Sequence, residues 1–163
     1  MTSQGENRLF GLALAGGKST RMGMDKARIS YHGLPQKDHL FQLLGRSCDK
    51  VFISISKEAE PADYNNPIVD AFGLETPLDG ILSAFQKHPH IAWLTVPIDM
   101  PFVDDHTIQF LIDHRDTGKV ATCFYDTSGK LPEPLLTLWE PKSKDLLLEF
   151  YGDGKLSPRE FLK

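Results

Sequence analysis

Leu12 to Lys26 reads Leu-Ala-Leu-Ala-Gly-Gly-Lys-Ser-Thr-Arg-Met-Gly-Met-Asp-Lys. An apolar stretch, Leu9 to Ala15, stops at the paired Gly16 and Gly17, and the cations Lys18, Arg21 and Lys26 follow. Glycine has no Cβ, so backbone N–H groups can close on an anion while the cations offset its charge. These residue types in this order suit a pocket for phosphates. The chain carries a net charge of −4, yet between positions 16 and 28 Lys18, Arg21, Lys26 and Arg28 stand against Asp25. That local excess of positive charge attracts an anionic ligand. A strand followed by a solvated basic loop is the plainer reading of the same residues.

Two other phosphate motifs are excluded. A P-loop requires a glycine five residues before its Gly-Lys-Ser; Gly17-Lys18-Ser19 would need it at Leu12. The G-x-G-x-x-G dinucleotide pattern fails because Gly16 and Gly17 are adjacent and the next glycine is Gly23.

Carboxylates supply the second kind of chemistry. Asp99 stands in Val96-Pro97-Ile98-Asp99-Met100-Pro101-Phe102, just past an apolar run. Mg²⁺ binds through one or two carboxylates plus substrate phosphates, which makes Asp99 a candidate metal ligand. The competing reading is a turn aspartate bonded to its own backbone. Asp70 closes the short run Ile68-Val69 and reads otherwise as a loop-starting residue. Asp79, in Thr76-Pro77-Leu78-Asp79-Gly80-Ile81, reads as an exposed first-turn aspartate favoured by the helix dipole. The six histidines show no metal-ligand spacing on one helix face, and His88-Pro89-His90 reads as a solvated turn. Asp104-Asp105, and Asp113 with Asp116, read as cap and helix surface.

These groups need elements to hold them. Strands are expected over Arg8–Ala15, Lys50–Ser56, Pro67–Ala71, Ile91–Val96, Lys119–Tyr125 and Leu135–Trp139. Helical spacing covers Gln36–Cys48, Leu78–Lys87 and Lys142–Tyr151, with a further helix capped by Asp104 and a last one starting at Ser157-Pro158-Arg159-Glu160. Strand–helix alternation argues for an open, mostly parallel sheet covered by helices. Ligands of such sheets bind at the carboxyl ends of the strands. That rule puts Ala15, Gly16, Gly17, Ser56, Asp70 and Asp99 on one rim.

Composition sets the bounds. With 163 residues, 40% hydrophobic and 25% charged, the chain suits one domain over residues 1–163. No apolar run approaches the roughly 20 residues that span a bilayer. The polar start Met-Thr-Ser-Gln-Gly-Glu is no secretory signal, and Cys48 and Cys123 form no paired motif. A cytoplasmic protein with reduced thiols is expected, without a nucleic-acid surface.

The string Leu14-Ala15-Gly16-Gly17-Lys18-Ser19-Thr20-Arg21-Met22-Gly23-Met24-Asp25-Lys26 resembles the signature of the molybdenum cofactor guanylyltransferases. Asp99-Met100-Pro101-Phe102 resembles that family's Asp-x-Pro metal motif, and Thr76 to Gly80 its Gly-Pro-Leu-x-Gly segment. In the latter, Thr76 replaces a glycine and Asp79 a small residue. That segment would set the Asp79 carboxylate near a guanine edge, the less favoured reading beside a first-turn aspartate. The resemblance runs over roughly residues 9 to 162. It implies a three-layer α/β/α sandwich with a Rossmann-like, mostly parallel sheet of the nucleotide-diphospho-sugar transferase type. It also implies transfer of GMP from GTP to molybdenum-molybdopterin, with release of pyrophosphate. Implied nucleotide-binding residues are Leu14, Ala15, Gly16, Gly17, Lys26, Ser56, Asp70 and Asp99. Backbone N–H groups from Ala15 to Gly17 would hold the nucleotide, with Asp70 near its sugar or base. Arg21, Lys26 and Asp99 are the implied catalytic residues. Asp99 would hold Mg²⁺, with Mn²⁺ as the substitute, and Pro132-Glu133-Pro134 would line the pterin side. Expected partners are the small-molecule substrates and, transiently, other cofactor-biosynthesis proteins. The family's C-terminal strand and helix, with an Asn-x-Asn-Thr-Pro-like motif, would follow Ser157-Pro158-Arg159, and this sequence ends at Lys163. A cytidylyl or sugar-phosphate transferase of the same fold is the first alternative, and a non-catalytic nucleotide- or cofactor-binding relative the second.

Overall fold

The computed structural model describes residues 8–15, 30 and 33–163. Gly16, Gly17, Lys18, Arg21, Lys26 and Arg28 therefore lie outside the described residues. The elements run β1 (Leu9–Leu14), α1 (Gln36–Gly45), β2 (Lys50–Ile55), β3 (Pro67–Val69), α2 (Pro77–Lys87), β4 (Ala92–Pro97), α3 (Asp105–Asp113), β5 (Ala121–Tyr125), β6 (Pro132–Trp139), α4 (Ser143–Gly152) and α5 (Pro158–Leu162). A short 3-10 turn at Pro61–Asp63 joins β2 to β3.

Six strands form one sheet in the order β3-β2-β1-β4-β6-β5. Pairs β1–β2, β1–β4 and β2–β3 are parallel, while β6 is antiparallel to both β4 and β5. The mostly parallel sheet expected from the sequence is thus present, with β6 inserted in reverse. That strand begins earlier than the sequence pattern suggests, at Pro132 rather than Leu135. The early start places Pro132 beside Tyr125, beyond the stretch Thr137–Trp139 where β4 pairs. A proline withdraws one N–H from a ladder, so it is tolerated where a neighbour is missing on one side.

Alternation divides the core between two faces. Phe10, Leu12 and Leu14 of β1 pack with Leu78, Ile81, Leu82 and Phe85 of α2, and with Trp93, Trp139 and Leu147. Leu9 and Ala13 face Leu40, Leu43 and Leu44 of α1 and Ile108 and Leu111 of α3. A Cβ on Gly11 would stand 3.1 Å from Leu44 Cβ and 3.3 Å from Cys48 Sγ, so the missing side chain lets α1 lie directly on β1. Between β4 and β6, Thr95 Oγ1 donates to the carbonyl of Leu135 at 2.8 Å and accepts from Trp139 Nε1 at 3.2 Å.

Sequence signals for caps hold. Asp104 Oδ1 accepts from Thr107 N at 2.9 Å, and Ser157 Oγ from Glu160 N at 3.3 Å. Asp113 and Asp116 are local acceptors, from Gln109 Nε2 and Gly118 N. His88 departs from the solvated turn expected of it. Its ring lies 5.2 Å from Phe10 and 5.3 Å from Phe52, half-buried in an aromatic cluster. Burial, then Lys50, Lys87 and Arg8, push its pKa down. No helix among the described residues is long and apolar enough to cross a membrane.

Candidate active site

The four parallel neighbours β3, β2, β1 and β4 all end on one rim. Asp70 follows β3, Ser56 follows β2, Ala15 follows β1 and Asp99 lies two residues past β4. At about 4.8 Å between strands, the row spans roughly 14 Å from β3 to β4. Gly16, Gly17, Arg21 and Lys26 fall outside the described residues, but Ala15, the residue before Gly16, stands in the middle of this row.

Ala15 differs in one respect from the expectation. Its N–H donates to the carbonyl of Ser54 at 3.0 Å, which extends the β1–β2 ladder by one step. It is spent within the sheet, so the anion-facing N–H groups expected of this loop would begin at Gly16. On the other side, Ile98 N donates to the carbonyl of Leu14 at 3.0 Å and carries the chain to Asp99. Leu14 is buried, with its side chain in the α2 core. Ser56 is half-buried, and its carbonyl accepts from Ala59 N at 3.2 Å as the chain turns away.

Asp99 is exposed, in a turn closed by Met100 N donating to the carbonyl of Pro97 at 3.2 Å. Among the described residues its carboxylate has no hydrogen bond or ion pair, and its own turn offers it none, so the reading as a turn aspartate bonded to its own backbone has no support here. No cluster of three or more His, Cys, Asp or Glu capable of holding a metal occurs among the described residues. An all-protein cage is therefore absent from this part of the chain. A single exposed carboxylate on the same rim as Ala15, which leads into the glycine- and cation-rich sequence, fits a cation that keeps its waters and leans on substrate phosphates, as Mg²⁺ does.

Asp70 is the opposite case, 8% exposed. Its backbone N–H donates to the carbonyl of Ile55 at 2.8 Å, and Ser54 Oγ donates to its Oδ1 at 2.8 Å. Burial pushes its pKa up to about 7, aided by the negative charges of Asp79 and Glu58 and opposed by the Ser54 hydroxyl. A carboxyl so balanced can donate or accept near neutral pH.

Asp79 corrects the sequence reading. It is 1% exposed rather than a surface residue at the helix start. Oδ1 accepts from Phe72 N at 3.1 Å and from Ser83 Oγ at 3.0 Å, and Oδ2 accepts from Leu74 N at 2.8 Å. Three acceptor positions are filled from within the chain and the group is sealed from the surface, so it offers nothing to a nucleobase. Ser54 and Ser83 also escaped notice in the sequence. Signals existed for both: a serine within the apolar run Val51-Phe52-Ile53-Ser54-Ile55, and an Asp79/Ser83 pair at the i, i+4 spacing that shares a helix face.

Beyond β4 the rim continues into Phe102, 87% exposed, and Tyr125 at the end of β5, 69% exposed. The start of β6 at Pro132 lies at this same end because that strand runs in reverse.

Residues 11–163 match the family model described as the MobA-like NTP transferase domain. The chain belongs to this family. It is 32% identical over 158 residues to a molybdenum cofactor biosynthesis bifunctional protein of Synechocystis, which covers 95% of this chain and 46% of that protein. The chain thus spans about half the length of that relative. It is 31% identical over 158 residues to the molybdenum cofactor guanylyltransferase of Pseudomonas paraeruginosa, covering 93% of this chain and 78% of the other. Among solved structures, molybdopterin-guanine dinucleotide biosynthesis protein A of Archaeoglobus fulgidus superposes with a TM-score of 0.73 at 22% identity, over 94% of this chain and 78% of that one. A Mycobacterium tuberculosis protein solved in complex with manganese gives a TM-score of 0.61 at 18% identity, over 91% and 79%. The fold expected from the resemblance, that of the nucleotidyltransferases, is therefore the fold found.

Proposed function

We propose that this MobA-like chain moves a guanylyl group from GTP to the terminal phosphate of molybdopterin and releases pyrophosphate. The supporting observation is the row Asp70, Ser56, Ala15 and Asp99 along one rim, with the Asp99 carboxylate unpaired among the described residues and Ala15 leading into a glycine- and cation-rich sequence. Family membership and the guanylyltransferase relatives favour the same reading.

The chemistry asks little of a general base. A phosphomonoester loses its second proton near pH 6, so an acceptor oxygen arrives already anionic. That oxygen bonds to the α-phosphorus, and the bond from this phosphorus to the bridging oxygen breaks. The electron pair leaves with pyrophosphate. Two anions must be brought together in line, so catalysis reduces to positioning and charge compensation. In this reading N–H groups of Gly16 and Gly17 hold the nucleotide. Arg21, with its planar fork, meets the departing β- and γ-oxygens. Lys26 stands by the α-phosphate, where charge builds. Asp70, hydrogen-bonded to Ser54, receives a hydroxyl or N–H of the nucleoside. Asp99 holds Mg²⁺, which when bound offsets phosphate charge. Mn²⁺ is the natural substitute in such a site.

The direct test incubates the protein with GTP, Mg²⁺ and molybdopterin and follows pyrophosphate. Release that requires the acceptor supports the reading. Binding of GTP without release at any acceptor concentration refutes transfer and leaves a nucleotide-binding relative. Thermal shifts with GTP, CTP, ATP and UTP discriminate the base, since a ligand at about 100 times its Kd adds about 2.7 kcal/mol.

A further inference from the structure

The connection from β3 to α2 carries an internal clamp. Three donors on its backbone are bound by two side chains of α2. Ala71 N donates to Ser83 Oγ at 3.0 Å, Phe72 N to Asp79 Oδ1 at 3.1 Å and Leu74 N to Asp79 Oδ2 at 2.8 Å. Ser83 closes the set by donating to Asp79 Oδ1 at 3.0 Å. Asp79 and Ser83 are 1% and 3% exposed, so no bulk water competes for these bonds.

Asp70 directly precedes the clamped segment. Its N–H is fixed to Ile55 on one side, and the next residue is fixed to Ser83 on the other. We propose that Asp79 is a positioning residue for nucleotide recognition: acting through the backbone of Ala71 to Leu74, it fixes where the Asp70 carboxyl stands. This rests on the nucleotide-binding reading of Asp70 and extends it to a residue that is buried beneath the loop and bonded to it rather than open to a ligand. A small residue at position 79 could not tie the loop in this way, so the clamp accompanies the departure noted at this position of the Thr76–Gly80 segment.

The charge of Asp79 also reaches Asp70. Among the described residues, the charged groups that act on Asp70 are Asp79 from α2 and Glu58 from the segment after β2, and both oppose its ionisation. Asp79→Asn keeps the shape of the side chain, removes the charge and loses an acceptor for one backbone N–H. The experiment measures steady-state kinetics with GTP, calorimetric GTP binding, and the titration of the Asp70 carboxyl by carbon NMR in the ligand-free protein. Expected are a rise of about tenfold in KM and Kd for GTP, the effect of about 1.4 kcal/mol, a fall in kcat of less than threefold, and an Asp70 midpoint moved to lower pH. The lower midpoint follows from the lost charge alone, so the decision falls to binding: a merely structural role would lower the fraction of active protein and leave KM and Kd for GTP in place, and that outcome overturns the proposal. Should Asp79→Asn fail to fold, Ser83→Ala keeps the charge and opens one of the bonds. It then raises KM with a smaller change in the Asp70 titration, and an unchanged KM refutes the clamp. If the wild-type protein binds no nucleotide, the functional reading fails by itself. Amide exchange at Ala71, Phe72 and Leu74 still decides whether Asp79 sets the loop.

Discussion

Gly80 offers a sharp test of how tightly α2 is set against the rim. Replacing glycine by alanine within a helix ordinarily stabilises by up to about 1 kcal/mol, because glycine has more backbone freedom to lose. Here the added Cβ would overlap Ser54 Oγ and stand 3.0 Å from Leu14 Cδ2 and 3.1 Å from Ser54 Cβ. The hydroxyl can escape by rotating, but rotation breaks its bond to the buried Asp70. Losing a hydrogen bond to a buried carboxyl costs about 1–3 kcal/mol, and overpacking a core adds about 1–3. Set against the helix gain, Gly80→Ala should destabilise by about 2 kcal/mol. With a urea slope of about 2 kcal/mol/M, the unfolding midpoint falls by about 1 M. GTP affinity should fall with it. Ser54→Ala removes the obstructing oxygen, so adding Gly80→Ala to that background should cost under about 1 kcal/mol, a coupling of at least about 1 kcal/mol. If Gly80→Ala alone raises the midpoint, as it would on an open helix face, then α2 does not approach β2 as described and the reasoning fails.

Asp70→Asn should relieve a pH-dependent cost. In the folded chain Asp70 is held near 7, whereas in the unfolded chain it ionises in the ordinary carboxylate range near 3.9. The folded state therefore keeps a proton that the unfolded state has released. This group's contribution is fully present at acid pH and is lost as pH rises through about 7. The ceiling is about 1.4 kcal/mol per pH unit, reduced where water reaches the exposed edge. Urea titrations should show the Asn variant gaining about 2 kcal/mol on wild type between pH 4.5 and 7.5, and parallel pH profiles would contradict the raised titration. Asp99→Asn should abolish turnover that depends on Mg²⁺ or Mn²⁺ while leaving the urea midpoint unchanged, and near-wild-type rates would remove the metal assignment. Arg21→Ala and Lys26→Ala should each lower kcat by about 10²- to 10³-fold with nucleotide binding partly kept, and full activity in either would remove its assigned role.

Much of this arrangement was legible in the chain. The apolar run into Gly16-Gly17, the β-branched segment before Ser56 and the aspartates at 70 and 99 mark strand ends, and parallel strands with crossover helices must end together. Cap chemistry located α3 and α5 from Asp104 and Ser157, because a helix N-terminus needs acceptors within its own first turn. What escaped depends on contacts distant in sequence or on register. Nothing local says that Ala15 N would still pair with Ser54. Nor does anything local say that a charged residue in the first turn of α2 would face inward, since the donors that satisfy Asp79 lie in the preceding loop. The reversed β6 was hidden by its prolines, which read as loop from propensity and sit instead where β4 no longer pairs.

That reversal divides the molecule into two parts with different freedom to vary. The four neighbouring parallel strands are tied by crossovers and shared ladders, so altering one disturbs its companions. The β5–β6 hairpin, in contrast, turns at Asp126–Leu131, on the rim of the candidate site. Its tip can lengthen, shorten or change character while the ladder Thr137–Trp139 against β4 stays in place. Under the proposed function, a lineage could thereby change the half of the rim next to β6 and inherit the half carrying Ala15, Ser56 and Asp70 unaltered. Swapping this hairpin between relatives is the corresponding engineering route.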